Sequence, residues 1–177
     1  MIYFHCGDFH VYHIPMYQSN YTEEVEVDGK RLELLLQDNP GIEEWNDLRP
    51  LTYPNTNVFL LCFSIDQPTS LNNVKAKWLP EILHFSSGIQ VPYILVGCRT
   101  DLRPSYPTPA TLQQTGSNFV TPEDGEAAAR SIGALMYLEC FARTGSGVSE
   151  VYHNAARTAL LHPTPKRKEA KEGCIAI

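Results

Sequence analysis

Two short patterns in this chain carry functional groups at spacings that chemistry would use. Asp38-Asn39-Pro40-Gly41 follows the apolar run Leu32-Glu33-Leu34-Leu35-Leu36-Gln37, and a carboxylate and a flexible glycine at the carboxyl end of a strand are what a metal and phosphate site in an open α/β sheet requires. Cys174-Ile175-Ala176-Ile177 places a cysteine fourth from the end, ahead of two aliphatic residues. That is the C-a-a-X pattern for prenylation of the thiol. A terminal Ile is close in bulk to Leu and favours geranylgeranyl. A single lipid needs a second signal for stable membrane residence; here Lys166, Arg167, Lys168 and Lys171 set against Glu169 and Glu172 leave a modest net charge of +2. Other groups carry less. His5, Cys6, His10 and His13 match no zinc spacing, and Ser105, Ser117 and His153 have no nucleophile-elbow context.

The elements that must hold these groups are legible from periodicity. Val25-Glu26-Val27 alternates, Asp28-Gly29 suits a tight hairpin turn, and Leu32 to Gln37 supplies the returning strand. Val58-Phe59-Leu60-Leu61-Cys62-Phe63-Ser64 and Val91-Pro92-Tyr93-Ile94-Leu95-Val96-Gly97 have the continuous hydrophobicity of strands buried on both faces. Between them Leu71, Val74, Trp78, Ile82 and Phe85 recur at helical spacing. Thr121-Pro122-Glu123-Asp124 reads as a helix start, ending at Gly133 before a strand from Leu135 to Glu139. Gly147 opens a last helix with Val148, Val151, Ala155, Thr158 and Leu161 on one face. Strands and helices alternate, which predicts a parallel, doubly wound α/β sheet. Residues 103–120 form a polar, proline-containing surface insertion, and the chain from His162 is a charged linker.

At 177 residues the chain suits one well-buried domain with a tail. A formal charge of −6 argues against nucleic acid as a partner. Five cysteines without C-x-x-C spacing suit a reducing compartment better than a disulfide framework, with Cys62 and Cys140 expected as small apolar strand residues. The N-terminus has no secretory signal and no apolar run is long enough to span a bilayer, so the expected location is cytosolic before lipidation.

From Ile14 to Ile177 the chain resembles Rho-family small GTPases. The resemblance rests on Val25 to Gly41 running into Leu48-Arg49-Pro50-Leu51-Thr52-Tyr53-Pro54, on Leu61-Cys62-Phe63-Ser64-Ile65-Asp66, on Lys77-Trp78-Leu79-Pro80-Glu81, and on Gly97-Cys98-Arg99-Thr100-Asp101-Leu102-Arg103. It implies a Ras-like P-loop NTPase fold for residues 14–161, an atypical segment 1–13, a family insert at 103–120, and a tail 162–177. It also implies GTP/GDP and Mg²⁺ as cofactors, and a switch presenting an effector surface. Rho-type effectors or regulators would be the partners, met at the cytoplasmic face of the plasma membrane or an endomembrane once Cys174 is lipidated. On this resemblance the base-holding motif is Cys98-Arg99-Thr100-Asp101: Asp101 would accept from the guanine edge and Arg99 would lie flat against the base. Cys98 is a weaker hydrogen-bonding group than the family's Asn or Thr. A second base motif reads Phe141-Ala142-Arg143, where the Ala142 N–H would serve. The switch surfaces fall at Pro15, Asn20 and Tyr21, and at Trp45, Leu48, Arg49 and Tyr53.

The phosphate side departs from the family. No G-x-x-x-x-G-K-[ST] occurs in the sequence, the Mg²⁺-ligating Thr position is Met16, and the water-orienting Gln position is Ile42. Asp38 and Gly41 survive, Asp38 as a metal contact through water. The expected sheet therefore lacks the first strand, phosphate loop and first helix, with Ile2-Tyr3-Phe4 as the candidate to fill the gap. No residue is assigned as catalytic, and GTP binding and hydrolysis are expected to be impaired or lost. The rival readings are a nucleotide-independent, membrane-anchored interaction module or decoy, and an incomplete gene model of an active enzyme.

Overall fold

The computed structural model of the chain describes residues 19–86, 91–103, 119–163 and 174–176. Pro15, Met16 and Ile2 to Phe4 lie outside them, as does most of the insertion. The chain opens with a hairpin of β1 (Ser19–Val27) and β2 (Lys30–Asp38), antiparallel from Ser19↔Asp38 to Val27↔Lys30. Asp28 and Gly29 both take positive φ, 51° and 74°, as a two-residue turn matched to strand twist demands. Its tip is fixed to the last helix by a two-pronged contact, in which Arg157 donates to Asp28 at 3.0 and 2.8 Å.

A second sheet is wholly parallel. β3 (Phe59–Ser64), β4 (Tyr93–Cys98) and β5 (Tyr137–Cys140) pair in that order, with Ser64↔Cys98↔Cys140 aligned at their carboxyl ends. Helical connections join them, giving the α/β Ras-like arrangement expected. α1 (Pro68–Asn73) passes through a π turn (Val74–Trp78) into α2 (Leu79–Phe85). Pro80 has no N–H to donate to Ala76 and its ring crowds that carbonyl, and the wider turn just before it relieves the conflict. α3 (Pro122–Ile132) starts with a full capping box between Thr121 and Asp124 and stops at Gly133 at φ 79°. α4 (Val148–Leu161) begins after Gly147.

Three sequence expectations change. The strand placed from Leu135 begins at Tyr137, and Leu135 is exposed. Phe85 and Leu161 end their helices exposed to solvent. β4 is buried on both faces as predicted, but β3 is not: Phe59, Leu61 and Phe63 are buried while Cys62, on the other face, is exposed. Among the described residues β4 has hydrogen-bonded neighbours on both sides and β3 on one.

Among the described residues the hairpin and the parallel sheet share no strand pairing. The free edge of β2 is taken by β6 (Cys174–Ala176), parallel with Glu33↔Cys174, Leu34↔Ile175 and Leu35↔Ala176. Residues of β2 and β3, with segments that follow them, line a cavity of about 410 Å³. Two cores result, one of Val27, Leu34, Leu36, Val96, Val151 and Ala155 under α4, the other of Phe63, Ile65, Val74, Ile82, Leu95 and Ala128 under α1 to α3.

Candidate functional site

The carboxyl ends of β3, β4 and β5 are where ligands bind in open parallel sheets, and here they border a second cavity of about 440 Å³. Five of the residues selected from sequence line it: Cys98, Arg99, Asp101, Ala142 and Arg143. They come from two loops that leave adjacent strands. After Cys98 the chain turns at once through Arg99, whose φ of 63° is left-handed, into a single 3-10 turn, Thr100–Leu102. A long side chain in that region is strained by about 1–2 kcal/mol. The turn is held by Leu102 N–H to the Arg99 carbonyl at 3.1 Å, and by the Arg99 guanidinium paired with Asp66 at 3.2 Å. Ser64 donates to that same carboxylate. The end of β3 thus anchors the loop after β4, a contribution the sequence reading did not assign to Ser64 or Asp66.

After β5, Phe141 forms an antiparallel bridge with Ser146, its N–H donating to the Ser146 carbonyl at 2.8 Å. This fastens the base of the Ala142–Gly145 turn. Gly147 is required by geometry. Its φ is 71°, and a Cβ there would lie 2.2 Å from the Glu139 carbonyl oxygen.

Cys98 has a partner of its own kind. The Cys140 thiol donates to the Cys98 sulfur at 3.9 Å, and Cys62 contacts Cys98 from the β3 side. The Cys140 bond draws the Cys98 thiol pKa down, but contact with Cys62 and burial outweigh it, and the net displacement is upward. Donation to Cys98 and burial raise Cys140 as well. Tyr152 lines this cavity and the one beside it, as do Leu60 and Cys62.

Asp38 and Gly41 border the cavity beyond β2, together with Asn39, Arg49, Tyr53 and Trp78. Gly41 passes over the Trp78 ring. Arg49 and Tyr53, placed on the switch surface from sequence, are buried instead. Arg49, 3% exposed, donates to the Pro40 and Ile42 carbonyls at 3.4 Å and to Asn46 at 2.8 Å, stacks on Trp78 and pairs with Glu81 at 3.6 Å. Tyr53 donates to Glu81, and burial with that carboxylate raises its pKa. Apolar side chains along residues 42–51 face outward: Ile42, Leu48 and Leu51 are 39%, 50% and 73% exposed. Trp45 is half-buried, Asn20 is exposed and Tyr21 is half-buried on β1.

Among the described residues no group of three or more His, Cys, Asp or Glu side chains is arranged to hold a metal ion, and Asp38 is the one carboxylate lining its cavity. Mg²⁺ takes one or two carboxylates and leaves its other positions to water and phosphate. Asp38 therefore fits a water-bridged contact to an ion that arrives with a phosphate ligand, and these residues build no cage.

A parallel sheet with connecting helices, an antiparallel hairpin in front, and paired loops enclosing a cavity at the strand ends define an α/β nucleotide-binding class of fold. Residues 1–161 match the Ras family. Three fungal proteins are close: GTP-binding protein RHO1 of Saccharomyces cerevisiae is 47% identical, covering 97% of this chain and 81% of that protein. RHO1 of Candida albicans is 45% identical over all of this chain and 87% of its own length, and rho1 of Schizosaccharomyces pombe is 43% identical over all of this chain and 89% of its own. The chain belongs to the Ras family, as a Rho-type small GTPase.

Proposed function

We propose that this chain is a Rho-type signalling protein that retains a guanine pocket but binds and hydrolyses GTP poorly. The observation that carries it is the 440 Å³ cavity lined together by Cys98, Arg99, Asp101, Ala142 and Arg143. In this reading the exposed Asp101 carboxylate accepts from the guanine edge, the Arg99 plane covers the base, and the Ala142 N–H donates to it. The phosphate end is weaker. The backbone cradle, Lys and hydroxyl of the family are not among the motifs of the sequence, and each charge-assisted bond forgone is worth about 1.5–3 kcal/mol. Ile42 stands where a side chain would have to orient water. Among the described residues no helix is long and apolar enough to cross a membrane; membrane attachment in this reading goes through prenylated Cys174.

Calorimetric titration of the purified chain with GTP and GDP, with and without Mg²⁺, tests the proposal. Binding weaker than about 10 µM, with little gain from Mg²⁺, is the expected result. Tight, Mg²⁺-dependent binding would overturn the impairment. The second reading, an interaction module independent of nucleotide, draws on the exposed Ile42, Leu48 and Leu51, since apolar side chains gathered on one loop suit a protein partner. It predicts a folded chain that ignores both nucleotides and captures Rho effectors or regulators equally well with and without them.

A further inference from the structure

We propose that Cys98 and Cys140 form a reversible intramolecular disulfide that locks together the two strand ends lining the cavity. Cys98 is the last residue of β4 and Cys140 the last of β5, and the two are register partners. Neighbouring strands run about 4.8 Å apart, inside the span of about 4.4–6.8 Å between Cα atoms that a disulfide can bridge. The sulfurs already touch, at 3.9 Å, and closing to a bond of about 2.05 Å asks for side-chain rotation and a small shift of the strand ends. Both thiols line the cavity, and the exposed Cys62 lines it with them. Solvent-borne reagents therefore have a route to the pair. Cys98 also stands where the resemblance calls for Asn or Thr, and the partner that the fold gives it is a thiol.

The oxidant is a low-molecular-weight disulfide of the glutathione type. One thiolate of the pair attacks a sulfur of that reagent, forming a mixed disulfide and expelling one glutathione thiolate, which takes up a proton. The second thiolate of the pair then displaces the other glutathione. The protein loses two protons and two electrons, and glutathione disulfide becomes two glutathione thiols. Elevated thiol pKa values keep the thiolate fraction low at neutral pH, so the exchange is slow. Adjacent strands hold the two backbones in fixed directions, which makes the bridge one that reductants reopen. Once formed, it ties the loops carrying Arg99 to Asp101 and Ala142 to Arg143 through their roots.

The test uses the full chain equilibrated overnight in glutathione buffers from fully reduced to fully oxidised, quenched in acid, alkylated, digested and read by mass spectrometry. A Cys98–Cys140 linked peptide is expected, reversed by dithiothreitol, retained in Cys62→Ser and abolished in Cys98→Ser. Backbone hydrogen exchange in residues 99–103 and 141–146 slows severalfold in the oxidised form. A chain that stays folded by circular dichroism yet carries only glutathione adducts, or a Cys62–Cys98 link, overturns the proposal. So does a linked peptide with unchanged exchange in both loops. The wild-type mapping needs no variant to fold, and neither readout involves nucleotide, so the outcome is independent of the titration above.

Discussion

The Arg49 guanidinium is enclosed by acceptors from four residues, Pro40, Ile42, Asn46 and Glu81, with the Trp78 ring against it. A buried charge so surrounded is expensive to delete, because two carbonyls would lose a donor and Glu81 its countercharge at once. Arg49→Ala is expected to cost about 3 kcal/mol of stability in denaturant titration. Arg49→Lys should cost less, since it keeps the charge and loses only the fork. The second residue-scale case is Glu139, which accepts from Arg103 at 2.9 and 2.7 Å and from the Tyr137 hydroxyl at 2.7 Å. Arg103 holds the Glu139 carboxyl below its ordinary 4.5. A depressed carboxylate stabilises the fold fully above its unfolded pKa, and this contribution fades as pH falls below about 4.5 toward the folded value. Wild-type stability should therefore fall more steeply with acid than that of Glu139→Gln; equal slopes in urea titrations at pH 5 and pH 3.5 would refute this.

At the scale of elements, β5 and α3 meet through an aromatic ring over glycines. A Cβ on Gly125 would lie 2.3 Å from the Tyr137 ring carbon Cζ, and one on Gly97 would lie 2.4 Å from the Tyr137 hydroxyl oxygen. Tyr137 cannot easily yield, being stacked beside Phe63 and bonded to Glu139. Ala is ordinarily better than Gly inside a helix by about 1 kcal/mol, yet Gly125→Ala should destabilise by about 1–3 kcal/mol through overpacking. Pairing it with Tyr137→Ala should recover part of the loss, a coupling that a double-mutant cycle in thermal melts would read. Helix starts and stops were open to sequence reading here because they are local: Thr121 and Asp124 close their box within four residues, and Gly133 needs only its own backbone freedom. The exposure of Leu161 and Phe85 was not, because a 3.6-residue period says which face is apolar and nothing about where the opposing surface stops.

For the molecule as a whole, the hairpin and the parallel sheet are held by the packing of α4 against both and by the Asp28–Arg157 contact. The strand Cys174–Ala176 takes the free edge of β2, and an unpaired edge is a site for alternative pairing. Removing the last four residues is expected to speed hydrogen exchange of the Glu33 to Leu35 amides several-fold while leaving β4 unchanged. Equal rates in both chains would show that this pairing does not protect β2.

The amino-acid sequence determined the alternation of strands and helices, the Asp28-Gly29 turn, the α3 caps and the family, because each is written in neighbouring residues or in a pattern of apolar spacing. Through the resemblance it also selected Cys98, Arg99, Asp101, Ala142 and Arg143 as one base-holding set, and they line one cavity. Tertiary structure alone decided that Arg49 and Tyr53 face inward, that Ser64 and Asp66 brace Arg99, and that Cys62 is exposed. It decided too that Cys98 touches Cys140, 42 positions apart. The physical reason is common to all of these: burial and contact depend on which element packs opposite, and strand register joins residues whose separation along the chain carries no local signal.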